Sequence, residues 1–214
     1  MKEYQKKFID LAIKQEALRF GQFTLKSGRA SPYFFNLGMM TNGQALSTTA
    51  ECFAECLVES DIPYDGLFGP AYKGIPIVST TAIMLFLKYQ LTVPYTFNRK
   101  ETKQHGEGGQ LVGAPLRGKV VLLDDVITAG TAIDESYPLF QQAGAQLSGI
   151  VLALNRQEKG KTGNHSAVKE IGDRYDVPVV SIIALEHIAE YLSQQGELEK
   201  LAAIEAYQAQ WGAD

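Results

Sequence analysis

The stretch Val120-Val121-Leu122-Leu123-Asp124-Asp125-Val126-Ile127-Thr128-Ala129-Gly130-Thr131-Ala132 sets two carboxylates between an apolar run and a run of small residues. The apolar run predicts a buried strand, and the residues after Thr131 predict a helix. Ligands of open parallel sheets bind at the carboxyl ends of the strands. Two adjacent carboxylates at such an end can accept hydrogen bonds from two neighbouring sugar hydroxyls. The backbone N–H groups of Thr128, Ala129, Gly130 and Thr131, with two hydroxyls, lie at a helix N-terminus, where a phosphate is favoured. A diol site beside a phosphate site suits a ribose 5-phosphate. Taken as a bare Asp pair after a strand, the same residues would equally suit a response regulator or an ATPase.

Four further segments carry charge or aromatic surface. Phe68-Gly69-Pro70-Ala71-Tyr72-Lys73-Gly74-Ile75-Pro76 reads as strand, tight loop and helix. Its glycines let the backbone approach a ligand closely, and Lys73 can meet a diphosphate; an ordinary turn would look similar. Arg99-Lys100-Glu101-Thr102-Lys103-Gln104-His105-Gly106-Glu107-Gly108-Gly109 gathers three cations and a histidine within seven positions. Glycine-rich loops of this kind inside a domain are usually functional or disordered, and a solvated charged loop is the plain alternative. Leu25-Lys26-Ser27-Gly28-Arg29-Ala30-Ser31-Pro32-Tyr33-Phe34-Phe35-Asn36 reads as a hairpin with an aromatic face, which core packing alone would explain. Arg156 ends an apolar strand in Asn155-Arg156-Gln157-Glu158, where a guanidinium can hold a carboxylate bidentately. Gly113-Ala114-Pro115-Leu116-Arg117-Gly118-Lys119 matches most of a P-loop, but Val120 replaces the Ser or Thr, and the segment precedes a strand instead of following one.

The elements that position these residues follow from periodicity. Residues 3 to 19 predict a helix; Phe20 to Leu25 and Pro32 to Leu37 predict short strands. Helices are expected at Gln44–Glu59, Ile75–Tyr89, Ala132–Ala143 and Val168–Tyr175. Strands are expected at Gly66–Gly69, Tyr95–Phe97, Lys119–Asp124, Gly149–Leu154 and Pro178–Ile183. Alternation of short apolar strands with helices indicates an α/β fold with a parallel sheet covered on both faces. Arg99 to Arg117 shows no periodicity and reads as a long loop. Glu186 to Trp211 reads as mostly helical. There is no internal repeat.

The 214 residues suit one domain, and 45% hydrophobic with 21% charged residues is an ordinary globular balance. A net charge of −4 argues against a general nucleic-acid footprint. The charged N-terminus lacks the features of a signal peptide, and the apolar run Ile77–Leu87 is too short to span a bilayer. Cys52 and Cys56, four apart on an expected helix, read as reduced, packed thiols, consistent with the cytoplasm. The sequon Asn164-His165-Ser166 is taken as chance, and His165 and His187 are assigned no role.

The thirteen residues from Val120 closely resemble the phosphoribosyl diphosphate signature of the type I phosphoribosyltransferases. The Arg99–Gly109 segment resembles the catalytic loop of the orotate phosphoribosyltransferases within them, and the 25–36 string resembles their N-terminal hood. The resemblance covers essentially the whole chain. It implies the type I fold, a central parallel sheet flanked by helices, with a hood at about 1–42, a core at about 43–185 and C-terminal helices at about 186–214. It implies transfer of 5-phosphoribosyl from phosphoribosyl diphosphate to orotate, giving orotidine 5′-monophosphate. Donor contacts would then come from Lys26, Tyr72, Lys73, Arg99, Lys100, Lys103 and His105, and from Asp124, Asp125, Val126, Ile127, Thr128, Ala129, Gly130, Thr131 and Ala132. Orotate contacts would come from Lys26, Phe34, Phe35, Thr128 and Arg156. Arg99, Lys103, His105, Asp124 and Asp125 would carry the catalysis. Mg²⁺ would arrive on the diphosphate without a dedicated protein ligand. A homodimer is implied, with each catalytic loop closing over the neighbouring subunit's site; no nucleic acid or membrane partner is implied.

Overall fold

The computed structural model describes residues 1–25, 27–103, 109–128, 130–160, 163 and 165–213, with the side chains of 102 and 103 excepted. Helix α1 (Glu3–Lys14) leads into a hairpin of β1 (Leu18–Thr24) and β2 (Ala30–Phe35). The core then runs α2 (Gly43–Glu59), β3 (Gly66–Gly69), α3 (Gly74–Tyr89), β4 (Tyr95–Lys103), β5 (Gly109–Gly113) and β6 (Lys119–Val126). It continues with α4 (Thr131–Ala143), β7 (Gln146–Asn155), α5 (Ala167–Tyr175), β8 (Val179–Ala184), α6 (Leu185–Gln194) and α7 (Leu198–Trp211).

Six strands form the main sheet in the order β5-β4-β3-β6-β7-β8. All neighbours are parallel except β4 and β5. From β3 the chain moves outward to β4 on one side; from β6 it moves to β7 and β8 on the other. The order therefore reverses between β3 and β6, and such a reversal opens a crevice at the carboxyl ends of the two strands.

The central strand β6 is apolar without interruption because both of its faces are covered. Val121 and Leu123 enter one cluster with Phe8, Phe53, Val78 and Ile188. Val120 and Leu122 enter the other with Phe140, Ile133 and Ile171. Burial on two faces removes the polar alternation that a half-exposed strand would show. The same pleat continues into Asp124 and Asp125, so the two carboxylates leave the strand on opposite faces.

Two expectations from the sequence differ from the structure. The first helix ends at Lys14, five residues early: Gln15 caps it, Glu16 takes a left-handed φ of 54°, and Leu18 pairs with Phe35 across the hairpin. Buried Leu18 satisfies the helical spacing from Leu11 and the strand equally, and pairing with β2 decides between them. The expected loop 99–117 is in large part a hairpin arm, because β4 runs to Lys103 and pairs antiparallel with β5, Asn98 opposite Leu111 and Lys103 opposite Gly109. The sheet is consequently parallel except at that edge. The cysteines agree with their reading: both are free and buried, and burial pushes each thiol up to about 12. Among the described residues no helix is long and apolar enough to cross a membrane.

The loop between β3 and α3 folds back on itself so closely that two glycines touch. A Cβ on Gly69 would lie 2.1 Å from the Gly74 carbonyl oxygen, and one on Gly74 would lie 2.6 Å from the Gly69 carbonyl carbon. Backbone, not a movable side chain, blocks both positions. Gly69→Ala should therefore destabilise the protein by about 2 kcal/mol or more, read as a lowered midpoint in urea unfolding; an unchanged midpoint would show that the turn can open.

Candidate active site at the β3–β6 switch point

Asp124 and Asp125 lie near the carboxyl end of β6, and each is only 7% exposed. Each carboxylate accepts a backbone N–H from the next residue: Asp124 Oδ1 from Asp125 at 2.8 Å, and Asp125 Oδ1 from Val126 at 2.8 Å. These local bonds fix the side chains at the strand end and leave an oxygen of each for another partner. Asp125 Oδ2 already has one, since Lys73 Nζ donates to it at 2.5 Å from the loop after β3. Burial, and then the neighbouring Asp125 charge, push the Asp124 carboxyl up to about 7. Removing a carboxylate from water disfavours its charged form, and a second negative group adds to that cost.

The switch point brings the two loops together. Tyr72, 70% exposed, stands next to Lys73 on the loop from β3. That loop is held from the side by Asn98 on β4, whose Oδ1 accepts the Ala71 N–H at 2.7 Å. Asn98 was not singled out in the sequence. Its only signal there is a polar residue in an extended apolar segment, and it is buried at 8% exposure.

On the β6 side, Val126 and Ile127 lead to exposed Thr128, then Gly130, Thr131 and Ala132 open α4. Gly130 has φ +73°, a left-handed backbone that favours glycine, and a Cβ there would have to displace the tip of Ile171 on α5, 2.3 Å away. The Gly130 carbonyl accepts from the Ile133 and Asp134 N–H groups at 3.0 and 2.9 Å, while the N–H groups of Thr131 and Ala132 ahead of them have no acceptor within the helix. Ala129 and Lys26 lie outside the described residues, as does His105; strand β4 reaches Lys103, whose side chain is likewise outside them.

The β4 arm carries the remaining cations of this side. Arg99 is half-buried, and Lys100 Nζ is bonded to Glu135 of α4 at 2.7 Å. On the other side of β6, the ladder pairs Val126 with Leu154. Arg156, just past the end of β7, thus stands at the same edge of the sheet as Thr128. It is not a surface residue. At 8% exposure, its guanidinium lies 4.4 Å from the centre of the Tyr33 ring. Its Nε and Nη2 donate to Glu158 Oε1 at 2.7 and 2.6 Å.

The hairpin contributes two different faces. Ser31, Tyr33 and Phe35 point inward along β2 while Pro32 and Phe34 point the other way. Phe35 packs against Phe8 in the core, with ring centroids 6.3 Å apart. Phe34 lies against Phe23 at 5.5 Å, with the Arg19 guanidinium over it at 5.4 Å. Alternation along a strand therefore separates the two rings, and only Phe34 leaves its ring outside the core cluster.

A buried acidic pair, a cationic loop, a helix N-terminus with two threonines and an arginine at one sheet edge can bind a sugar diol, two phosphate positions and a carboxylate. A family model for the phosphoribosyl transferase domain matches residues 39–179. The orotate phosphoribosyltransferase of Pseudomonas aeruginosa is 54% identical over 213 residues, 99% of this chain and all of that protein. That of Saccharophagus degradans is 52% identical over 214 residues, the whole of both chains. The crystal structure of the Francisella tularensis orotate phosphoribosyltransferase superposes with a TM-score of 0.88 at 43% identity, covering 97% of this chain and all of that one. With its sheet order, its strand-end carboxylates and this likeness along its whole length, the chain belongs to the phosphoribosyltransferase family, among the orotate phosphoribosyltransferases.

Proposed function

We propose that this chain transfers the 5-phosphoribosyl group of 5-phospho-α-D-ribose 1-diphosphate to N1 of orotate, releasing diphosphate and forming orotidine 5′-monophosphate, a step of pyrimidine nucleotide synthesis. The observation that carries the reading is the conjunction at the switch point of Asp124, Asp125 and Lys73 with the N-terminus of α4, in a chain alike along its full length to proteins bearing that name.

Breaking the C1–O bond leaves positive charge on the ribose and adds negative charge to the diphosphate. The protein's work is then positioning and electrostatic stabilisation. Asp124 and Asp125 take the ribose hydroxyls and favour the cationic sugar. The 5′-phosphate lies on the first turn of α4, against Thr128 and Thr131. Lys73, Arg99 and Lys100, with Lys103 and His105 from the arm, meet the diphosphate. Arg156 takes the orotate carboxylate, and Phe34 with Lys26 closes the base end. Closure of the arm keeps water from the sugar diphosphate. Mg²⁺ supplies charge neutralisation on the leaving diphosphate. Asp124 and Asp125 offer hard oxygen donors that would fit such an ion together with substrate oxygens.

The active form is a homodimer. Ile83, Phe86 and Leu87, spaced three and four apart along α3, are exposed together, and an apolar face of this kind is suited to self-association. The protein acts in the cytoplasm, where free thiols such as Cys52 and Cys56 persist.

Three outcomes are expected. Absorbance assays should show orotate consumed only with both donor and Mg²⁺ present; turnover of adenine, hypoxanthine or guanine without turnover of orotate would sink the assignment. Lys103→Ala and Asp125→Asn should each lose at least about 10²-fold in kcat, yet a mixture of the two proteins should regain activity after subunit exchange. Each hybrid dimer then holds one site free of both changes, and no recovery after confirmed exchange would mean that the arm serves its own subunit.

The third outcome concerns pH. Because the Asp124 carboxyl titrates near 7 in the folded protein and near 4 when unfolded, its contribution is fully present below about pH 4. That contribution is lost as the pH rises to about 7. Asp124→Asn keeps an oxygen for the Asp125 N–H and never ionises. It should therefore stabilise the ligand-free protein at pH 8 by on the order of 1–3 kcal/mol, and by clearly less at pH 5, while abolishing donor binding. Urea melts at the two pH values decide it; an equal difference at both would remove the buried charge as the cause.

A further inference from the structure

Arg156 is held by more than one partner. Glu158 Oε1 accepts from its Nε and Nη2 at 2.7 and 2.6 Å, and from the Tyr33 hydroxyl at 3.3 Å. The Tyr33 ring lies beneath the guanidinium plane at 4.4 Å, and the Ser31 hydroxyl is 3.5 Å from Nη2. The bonds to Glu158 and Ser31 use two of the three guanidinium nitrogens, Nε and Nη2, and do not engage Nη1.

Glu158 is held in turn. Arg29 Nη1 approaches Glu158 Oε2 at 3.6 Å and donates to the Lys159 carbonyl at 2.9 Å. The Arg29 guanidinium rests on the Trp211 ring at 4.8 Å. The C-terminal segment is laced to the same stretch by backbone: Lys159 N–H to the Trp211 carbonyl at 2.9 Å, Ala213 N–H to the Gln157 carbonyl at 2.9 Å, and an antiparallel bridge between Glu158 and Gly212. Arg29, Glu158 and Arg156 therefore form a row of alternating charge that sums to +1. Arg29 belongs to the hood, Glu158 and Arg156 to the sheet edge, and the C-terminus straps the two together.

We propose that Glu158 is a positioning residue for recognition of the acceptor's carboxylate. By holding the Nε–Nη2 edge of Arg156, with Arg29 and the Trp211 strap behind it, Glu158 leaves the Nη1 side presented to the ligand. The carboxylate completes the row as its fourth charge and balances the excess of +1. This rests on the reading of Arg156 as the orotate-binding group. A guanidinium whose rotamer is fixed in advance loses little entropy when it meets a planar carboxylate, which gives discrimination as well as affinity. An unanchored arginine on the same strand end would supply charge without direction.

The test compares two ligands that differ only in the carboxylate: orotidine 5′-monophosphate and uridine 5′-monophosphate. Both use the phosphate loop, so their affinity ratio isolates the base end. In Glu158→Gln the ratio should fall about tenfold, with uridine 5′-monophosphate affinity and the thermal midpoint nearly unchanged. A ratio that stays the same or rises overturns the proposal, as does an equal loss for both ligands, which would mark general damage. Arg156→Ala serves as the reference. Loss of the ratio there with no change in Glu158→Gln defeats only the role of Glu158, whereas an intact ratio in Arg156→Ala defeats the assignment of Arg156 itself. Should Glu158→Gln not fold, Trp211→Ala replaces it; removing the platform under Arg29 should lower the ratio about threefold, and an unchanged ratio there overturns the proposal.

Discussion

The structure depends on two carboxylates kept out of water at the end of β6. A buried carboxylate pair is costly, and the rise in the Asp124 pKa expresses that cost directly. It persists because the surrounding structure over-determines it. Each carboxylate is fixed by the next residue's N–H, and Lys73 Nζ supplies a counter-charge 2.5 Å from Asp125. That lysine can reach only because the order of strands reverses between β3 and β6, setting their outgoing loops side by side. The strand order, the Gly69–Gly74 turn and the Asn98 brace all serve that one encounter.

Much of this was legible in the sequence for a physical reason. Strands covered on both faces must be apolar throughout, so β3, β6, β7 and β8 stood out as short runs against the helices between them. The 120–132 signature was legible because its chemistry is local: carboxylates, small residues and a helix start all lie within one loop. The glycines at 69 and 74 were legible as a tight approach, although the near surface proves to be the turn's own backbone.

What was not legible depended on strand pairing and on where the backbone turns, which residue spacing does not weigh. The end of α1 is decided by Leu18 meeting Phe35, which periodicity cannot weigh. The β4–β5 arm is polar and glycine-rich, so its strands exist by pairing with each other instead of by burial. Phe34 and Phe35 read as a pair, and the pleat divides them between two faces. Arg156 read as a cation at a strand end, but its partner lies only two residues on. The sequence showed Glu158 without showing that the chain turns there, with Gln157 at a φ of 49°, so that the carboxylate comes back onto the guanidinium.

Three of the cations assigned to ligand binding share one feature. Lys73 is bonded to Asp125, Lys100 to Glu135 and Arg156 to Glu158. On the proposed reading, ligand binding at the two lysines is an exchange of counter-ions, not the capture of an anion by an unneutralised charge. An exchange yields less net affinity than a bare buried charge would, because the internal pair must be loosened or shared. It also spares the empty protein the cost of isolated cations in a crevice. The three pairs differ in a way that follows their tasks. Lys73 and Lys100 are flexible stems with 51% and 40% of the side chain exposed, able to leave one carboxylate for a phosphate. Arg156 is buried, stacked and doubly bonded, so on the proposed reading its pair is the one that stays formed while a substrate carboxylate adds to it. The proposed reading puts mobile charge at the leaving-group end and fixed charge at the base end, which is what a transfer reaction needs. The diphosphate must be gripped during bond cleavage and then released, while the base must be held at one angle throughout.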